Sequence, residues 1–387
     1  MRVLGLSLVL CIMMVVAAFA YDDDARASSV PPQASTLEDL GRTLFHDVNL
    51  SANRTQSCAT CHDPATAFAD PRGMASTGDD GVSLGDRNAP TASYAALVPP
   101  FHRDEDGNWV GGQFRDGRAT GLAEQAAGPP LAAGEMGMPD KPAILARLKE
   151  DPYYVETFAA LFSGDILQDA GAAYDAMTAA IAAYERTDVF SPFDSKYDRF
   201  LRGEAELTRE EELGRVLFFS QQFTNCNICH QLAASAIDPR EPFTNHEYHN
   251  VGTPENVALR DLNGVPHGTI DEGLAGNPAV GGDPAQRGKF RTPTLRNVAV
   301  TAPYMSNGVF ADLRTVVLFY NIYNTRSEAR LINPETAAPF GPPPVPETLS
   351  MEELTHGPAL DDQRIDAIVA FLKTLTDARY EHLLEGE

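Results

Sequence analysis

Apolar positions recur with helical spacing in four stretches of the chain, and the alternation expected of strands is scarce. The first stretch, Leu40-Gly41-Arg42-Thr43-Leu44-Phe45, is echoed by Leu213-Gly214-Arg215-Val216-Leu217-Phe218, and each hexapeptide falls on a predicted helix. Ser35 with Glu38, and Thr208 with Glu211, have the capping-box spacing that would start those helices. The other two stretches, Ala176 to Thr187 and Ile365 to Leu375, read as helices that close each half. Between opening and closing helix, the chain's 28 prolines and 30 glycines concentrate in long loops. A polar stretch, Ser191-Pro192-Phe193-Asp194 followed by Gly203-Glu204-Ala205, separates the halves. The pattern predicts a mainly α protein in two tandem parts, residues 21–200 and 201–387.

One apolar run belongs to neither half. Val3 to Val16 follows Arg2 and leads to Ala18-Phe19-Ala20, then Tyr21-Asp22-Asp23-Asp24. It is shorter than the ~20 residues of a spanning helix and reads as a secretory signal, residues 1–20, cleaved after Ala20. No other segment is apolar enough to insert in a membrane, so a product in an oxidising compartment is expected. With 30 Lys+Arg against 54 Asp+Glu the formal charge is −24. No basic cluster offsets it, which excludes nucleic acid as a partner and leaves basic protein surfaces open.

Of five cysteines, Cys11 lies in the signal. The other four read Cys58-Ala-Thr-Cys61-His62 and Cys226-Asn-Ile-Cys229-His230. An exported chain could pair them as two disulfides. Zinc would want four ligands per site, and a thioredoxin-like site has no use for a histidine after the second cysteine in both copies. C-x-x-C-H is the attachment unit of c-type haem: two thiols on one helical turn bond the vinyl groups, and the histidine ligates the iron from the proximal side. Two covalently bound haem c groups are therefore predicted. Helix, C-x-x-C-H, long loops and closing helix is the order of a class I cytochrome c domain, present twice.

A haem that does acid–base catalysis on a small ligand needs an open iron position and an acid–base group above it. Glu135 and Gln125, in a Gly/Pro-rich region of the first half, are candidates. The second haem, to store or relay electrons, needs a sixth ligand. By chemistry this could be Met305, Tyr304, Tyr320, Tyr323, His246, His249, His267 or His356. His246 and His249 could also form a metal pair at helical spacing, and Met136 and Met138 beside Glu135 could line a pocket; a structural role is the expectation for both pairs.

The chain also carries Gln113-Phe114-Arg115-Asp116-Gly117-Arg118, Glu124-Gln125 followed by Gly128-Pro129, Glu135-Met136, and Arg291-Thr292-Pro293-Thr294-Leu295-Arg296-Asn297 running into Thr301-Ala302-Pro303-Tyr304. With the two haem motifs, these stretches resemble the bacterial di-haem cytochrome c peroxidase and MauG superfamily over nearly the whole mature chain. The resemblance implies a periplasmic oxidoreductase that uses hydrogen peroxide. It makes Glu135 the distal catalytic glutamate and Gln125 its pocket partner. Many peroxidases of the family place a distal histidine between the first haem motif and the Arg87-Asn88-Ala89-Pro90 segment; the loop Asp63 to Asp86 has none. The first haem is thus expected to be five-coordinate, with His102 as the fallback ligand. Tyr320 matches the position of the family's axial methionine, and a tyrosine there marks the MauG branch; Met305 is its main rival. Asn88, with the backbone oxygens of Thr301 and Pro303, matches the family's calcium ligands.

There are departures. The family's tryptophan between the haems is Arg115 in this chain, and a guanidinium cannot relay a hole. The chain's one tryptophan, Trp109, lies upstream. Ser306-Asn307-Gly308 stands where His-Asp-Gly is common. The resemblance leaves three functions in play: long-range oxidation of a protein substrate, as in tryptophan tryptophylquinone maturation; peroxide reduction with electrons from a small redox protein, cytochrome or cupredoxin; and a di-haem electron carrier without catalysis.

Overall fold

The two opening helices cross the two closing helices at matching points, and glycine makes both crossings possible. In the computed structural model, which describes residues 34–230 and 240–386, the first opening helix is Leu37–Phe45 and its partner is Ala170–Glu185. A Cβ on Gly41 would lie 1.9 Å from the Ala180 carbonyl oxygen and 2.9 Å from the Tyr184 Cβ. In the second half, Arg209–Phe218 crosses Asp362–Lys373. There a Cβ on Gly214 would lie 1.8 Å from the Ala367 oxygen and 2.8 Å from the Phe371 Cβ. Only a residue without a side chain lets the backbones come so close, which is why the repeated hexapeptide carries glycine at its second position.

The Thr208–Glu211 capping box forms as expected, with the Glu211 N–H donating to Thr208 Oγ1 at 3.2 Å and the Thr208 N–H to Glu211 Oε2 at 2.6 Å. The first cap is displaced by one residue. Thr36, in extended backbone, accepts from the Asp39 N–H at 3.2 Å, while Ser35 Oγ donates to the Asp39 carboxylate. The first closing helix begins at Ala170, capped by Asp169, well before Ala176. Its early turns are rich in alanine, which favours helix without producing an apolar period. The second begins at Asp362, capped by Asp361.

Each helix pair organises its own core. Buried apolar residues of the first core run from Ala34 to Phe190, and those of the second from Tyr197 to Leu375. Phe68 stacks on Phe190 at 4.1 Å, with Phe45 edge-on to both. In the second core Phe371 packs against Phe218 and Tyr197. Strand is confined to three two-stranded antiparallel ladders among the described residues: β1 (His102–Arg103) with β2 (Trp109–Val110), β3 (Tyr248–His249) with β4 (Phe290–Arg291), and β5 (Ile332–Asn333) with β6 (Ala338–Pro339).

The two halves are tied by buried polar contacts. Arg296, fully buried, forms a bidentate pair with Asp198 at 2.7 and 3.0 Å in the segment that enters the second core, and its guanidinium lies 4.8 Å over the ring of Tyr94 of the first half. Asp377 bonds both Asn297 and Tyr94, so the C-terminal segment reaches the first half. No helix among the described residues is long and apolar enough to cross a membrane. The signal segment lies outside the described residues.

Candidate functional site: a cavity joining the two C-x-x-C-H motifs

Both motifs form a single helical turn, Cys58–Cys61 and Cys226–Cys229, capped at its C-terminus by the following histidine. His62 and His230 are fixed alike. Each backbone N–H donates to the first cysteine's carbonyl at 2.9 Å. His62 Nδ1 bonds the Phe68 carbonyl at 3.2 Å and His230 Nδ1 that of Phe243 at 2.9 Å. A carbonyl can only accept, so the proton sits on Nδ1 and the Nε2 lone pair is left for a metal. Phe68 and Phe243 hold left-handed backbone, at φ 55° and 54°, a rare conformation for a bulky residue and the same in both halves. Burial lowers the pKa of both imidazoles, His230 to about 4, so both are neutral ligands at neutral pH.

The four cysteines are free of disulfides, and burial pushes their thiols up, to about 12 for Cys58 and Cys229 and about 11 for Cys226. One cavity connects the motifs. Cys61 and His62 line it on one side, and Cys226, Cys229 and His230 on the other. Its wall includes Arg291, whose buried Nε has no partner. A buried guanidinium nitrogen left without an acceptor is costly and suits the propionates of a haem. Sulfurs, neutral imidazoles and orphaned guanidinium nitrogen together fit haem c at both motifs.

Glu135 and Gln125 line the same cavity. Glu135 sits in a loop held from several sides. Its carbonyl accepts from the Asp79 N–H at 2.7 Å, its N–H donates to Ala132 O at 3.0 Å, and the next residue's carbonyl accepts from Ala52. Enclosure by protein raises its carboxyl pKa, against the opposing pull of Arg118. Gln125 projects from the short helix Leu122–Ala126. Met136 and Met138 are buried in the first core, as packing residues.

Tyr320, near the end of helix Leu313–Asn321, lines the cavity, and burial together with nearby Cys229 and Cys226 raises its phenol pKa. Among the other candidate ligands, Tyr304, Met305, His246, His249 and His356 also line the cavity. Tyr323 instead donates to the Val251 carbonyl, and His267 is paired with Asp261 on the surface. His102 must be set aside as a ligand. It lies exposed on β1 with Nδ1 on the Pro100 carbonyl, and it is not part of the cavity wall. Trp109 is likewise outside that wall, stacked on Phe101 at 4.8 Å beneath Arg103.

Two features escaped the sequence reading, and a third is placed differently from it. Glu185, at the end of the first closing helix, lines the cavity; burial raises its pKa to about 8, and Oε2 has no partner. His246 and His249 are not on a helix: His249 lies in β3 and His246 just before it, both in the cavity wall, and burial lowers them to about 3 and about 4. Finally, the cavity wall is cationic. Arg87, Arg115, Arg118 and Arg291 all contribute to it.

Asn88, Thr301 and Pro303 line the cavity as well, but the Asn88 oxygens are engaged. Arg115 Nε donates to Asn88 O and Nη2 to Asn88 Oδ1, both at 3.0 Å. Arg115 is enclosed by protein; desolvation first, then Arg87 and Arg291, lower its pKa to about 9. A guanidinium on both oxygens of the expected calcium ligand does not fit a calcium ion at that point.

A family model described as di-haem cytochrome c peroxidase matches residues 35–206. The methylamine utilization protein MauG of Paracoccus denitrificans is 54% identical over 364 residues, 93% of each chain. A cytochrome-c peroxidase of Denitromonas iodatirespirans is 33% identical over 311 residues, 75% of this chain and 73% of that one. Among solved structures, the diheme peroxidase BthA from Burkholderia thailandensis superposes with a TM-score of 0.76 at 32% identity, covering 90% of this chain and 87% of its own.

Proposed function

We propose that this chain, which belongs to the di-haem cytochrome c peroxidase family and is a hydrogen-peroxide-dependent di-haem oxidoreductase, oxidises a protein partner at a distance, in the manner of the MauG branch. The proposed setting is the periplasm, after removal of residues 1–20. The proposed organisation is two tandem cytochrome c-like domains, 21–200 and 201–387, each with one haem c.

One observation carries the reading. Of the first half's described histidines and methionines, only His62 lines the cavity. His62 would hold the first haem's iron by its motif, which would leave room for peroxide beside Glu135 and Gln125 in the same wall. Each peroxide takes up two electrons and two protons, its O–O bond breaks, and two waters leave. When bound, the haems would supply redox-active iron and the capacity to hold oxidising equivalents. Glu135 takes the proton from the attacking oxygen and returns it to the departing one. Gln125 holds the peroxide by hydrogen bonding. Tyr320 would help hold the second haem through its iron; a hard phenolate donor would favour ferric and higher-valent iron, which suits storage of an oxidising equivalent better than reception of electrons from a high-potential cytochrome.

The experiment compares peroxide consumption in the steady state with a reduced small cytochrome or cupredoxin as donor, and with no donor. Slow turnover with the donors, beside rapid stoichiometric reaction with peroxide, is the expected result. Fast donor-dependent turnover would move the function to an ordinary peroxidase, the second reading. No reaction with peroxide would leave an electron carrier.

A further inference from the structure

Arg115 occupies the place where the family's aromatic relay would stand, and its contacts give it another task. Nε and Nη2 grip the backbone and side-chain oxygens of Asn88, while its own carbonyl accepts from the Arg291 N–H at 2.9 Å. Asn88 is itself a junction. Its N–H donates to Ser306 O at 2.9 Å in the second half, and Nδ2 to Met74 O at 3.5 Å in the first. The guanidinium thus holds the point at which the first-half loop meets the second-half segment, inside the cavity wall that also contains Thr301 and Pro303.

The charges around it are already committed. Asp271 is bidentate to Arg87 at 2.6 Å, and Asp116 accepts from Arg87 at 2.7 Å and from Arg118 at 3.0 Å. Among the described residues no group of three or more His, Cys, Asp or Glu is placed to hold a metal ion. Calcium takes six to eight oxygens at about 2.3–2.6 Å. At Asn88 it would have to displace a guanidinium from both oxygens, or lie beside it with two further positive charges while Asp271 and Asp116 are already committed to Arg87 and Arg118.

We propose that the guanidinium of Arg115 is the fixed inter-haem cation of this chain, standing on Asn88 in place of a bound calcium ion. It braces Asn88 where that residue bonds Ser306 of the second half, and unlike a metal ion it is covalently part of the chain and cannot be chelated. Its charge sits between the haems, where it stabilises the ferrous relative to the ferric state of both. The proposal rests on the di-haem reading, and the iron and calcium contents of one sample test the two separately.

The test uses the full-length holoprotein, desalted into metal-free buffer and analysed for iron and calcium by mass spectrometry. The expected result is two irons and less than about 0.2 calcium per chain, with a ferric spectrum and peroxide reaction unchanged by excess EGTA. One calcium per two irons, with a spectrum that changes on chelation, overturns the proposal; fewer than two irons would instead overturn the di-haem reading. Arg115→Gln frees the Asn88 oxygens. This variant is expected to take up about one calcium per chain when calcium is supplied, and, kept calcium-free, to have lower reduction potentials at both haems. An Arg115→Gln protein that takes up no calcium and keeps both potentials contradicts the assignment. If that variant fails to fold, the wild-type calcium content still decides the matter.

Discussion

Gly41 lies so close to Ala180 that a methyl group on it would sit 1.9 Å from the Ala180 carbonyl oxygen, and Gly214 stands in the same relation to Ala367 at 1.8 Å. The neighbours one turn further along, Tyr184 and Phe371, match too. Each half therefore closes around its motif by the same glycine-mediated helix crossing, although the loops between differ in length and sequence.

Gly41→Ala and Gly214→Ala force their helix pairs apart because the obstacle is backbone and cannot rotate away. Each is expected to lower stability by roughly 3 kcal/mol and to reduce haem incorporation in its own half. Gly121→Ala, where an added Cβ meets nothing within 4 Å, is the control and is expected to behave as wild type. Thermal unfolding and haem staining of the variants provide the check.

Glu185 makes stability depend on pH. Burial raises its pKa from 4.5 to about 8, with Arg186 opposing. The folded state therefore binds a proton that the unfolded state releases above pH 4.5. This contribution is fully present below pH 4.5 and is lost as pH rises through about 8. Glu185→Gln removes the loss, so the variant should gain on wild type between those limits, by an amount on the order of a few kcal/mol. Denaturant midpoints at pH 5, 7 and 9 measure it; parallel wild-type and variant profiles would contradict the account.

Glu135→Gln keeps the size of the side chain and removes the base. The rate of the reaction with peroxide is expected to fall by about 10²–10⁴-fold, with the ferric absorption spectrum unchanged. Because enclosure raises the Glu135 pKa, the wild-type rate should rise with pH through a midpoint above 4.5, and the variant should lack that limb. Stopped-flow traces across pH test both statements.

The sequence made the attachment chemistry legible because C-x-x-C-H is local: one helical turn carries both thiols and the ligand. The opening and closing helices were legible for the same reason, through caps and apolar period. Displaced boundaries occurred where alanine forms helix without periodicity, as at Ala170, and where two hydroxyls compete for a cap, as at Ser35 and Thr36. What stayed hidden depends on long-range placement. Glu185 looks like a solvated position on an alanine-rich helix until the cavity is built against it. His246 and His249 have helical spacing, but His249 falls in a strand and His246 just before it, in left-handed backbone. Arg115 could be read only as a missing aromatic ring, since its hold on Asn88 joins two loops 27 residues apart with no local pattern to reveal it.

The measurement that bears most directly on the account is the low-temperature EPR spectrum of the ferric holoprotein, before and after hydrogen peroxide, with Tyr320→Phe beside wild type. One high-spin haem and one low-spin haem in equal amounts are predicted. The high-spin signal is expected to disappear first on peroxide addition, and the low-spin signal alone to change in Tyr320→Phe. Two low-spin haems with no high-spin component, or a low-spin signal indifferent to the Tyr320 substitution, would contradict an open first haem and a tyrosine-ligated second.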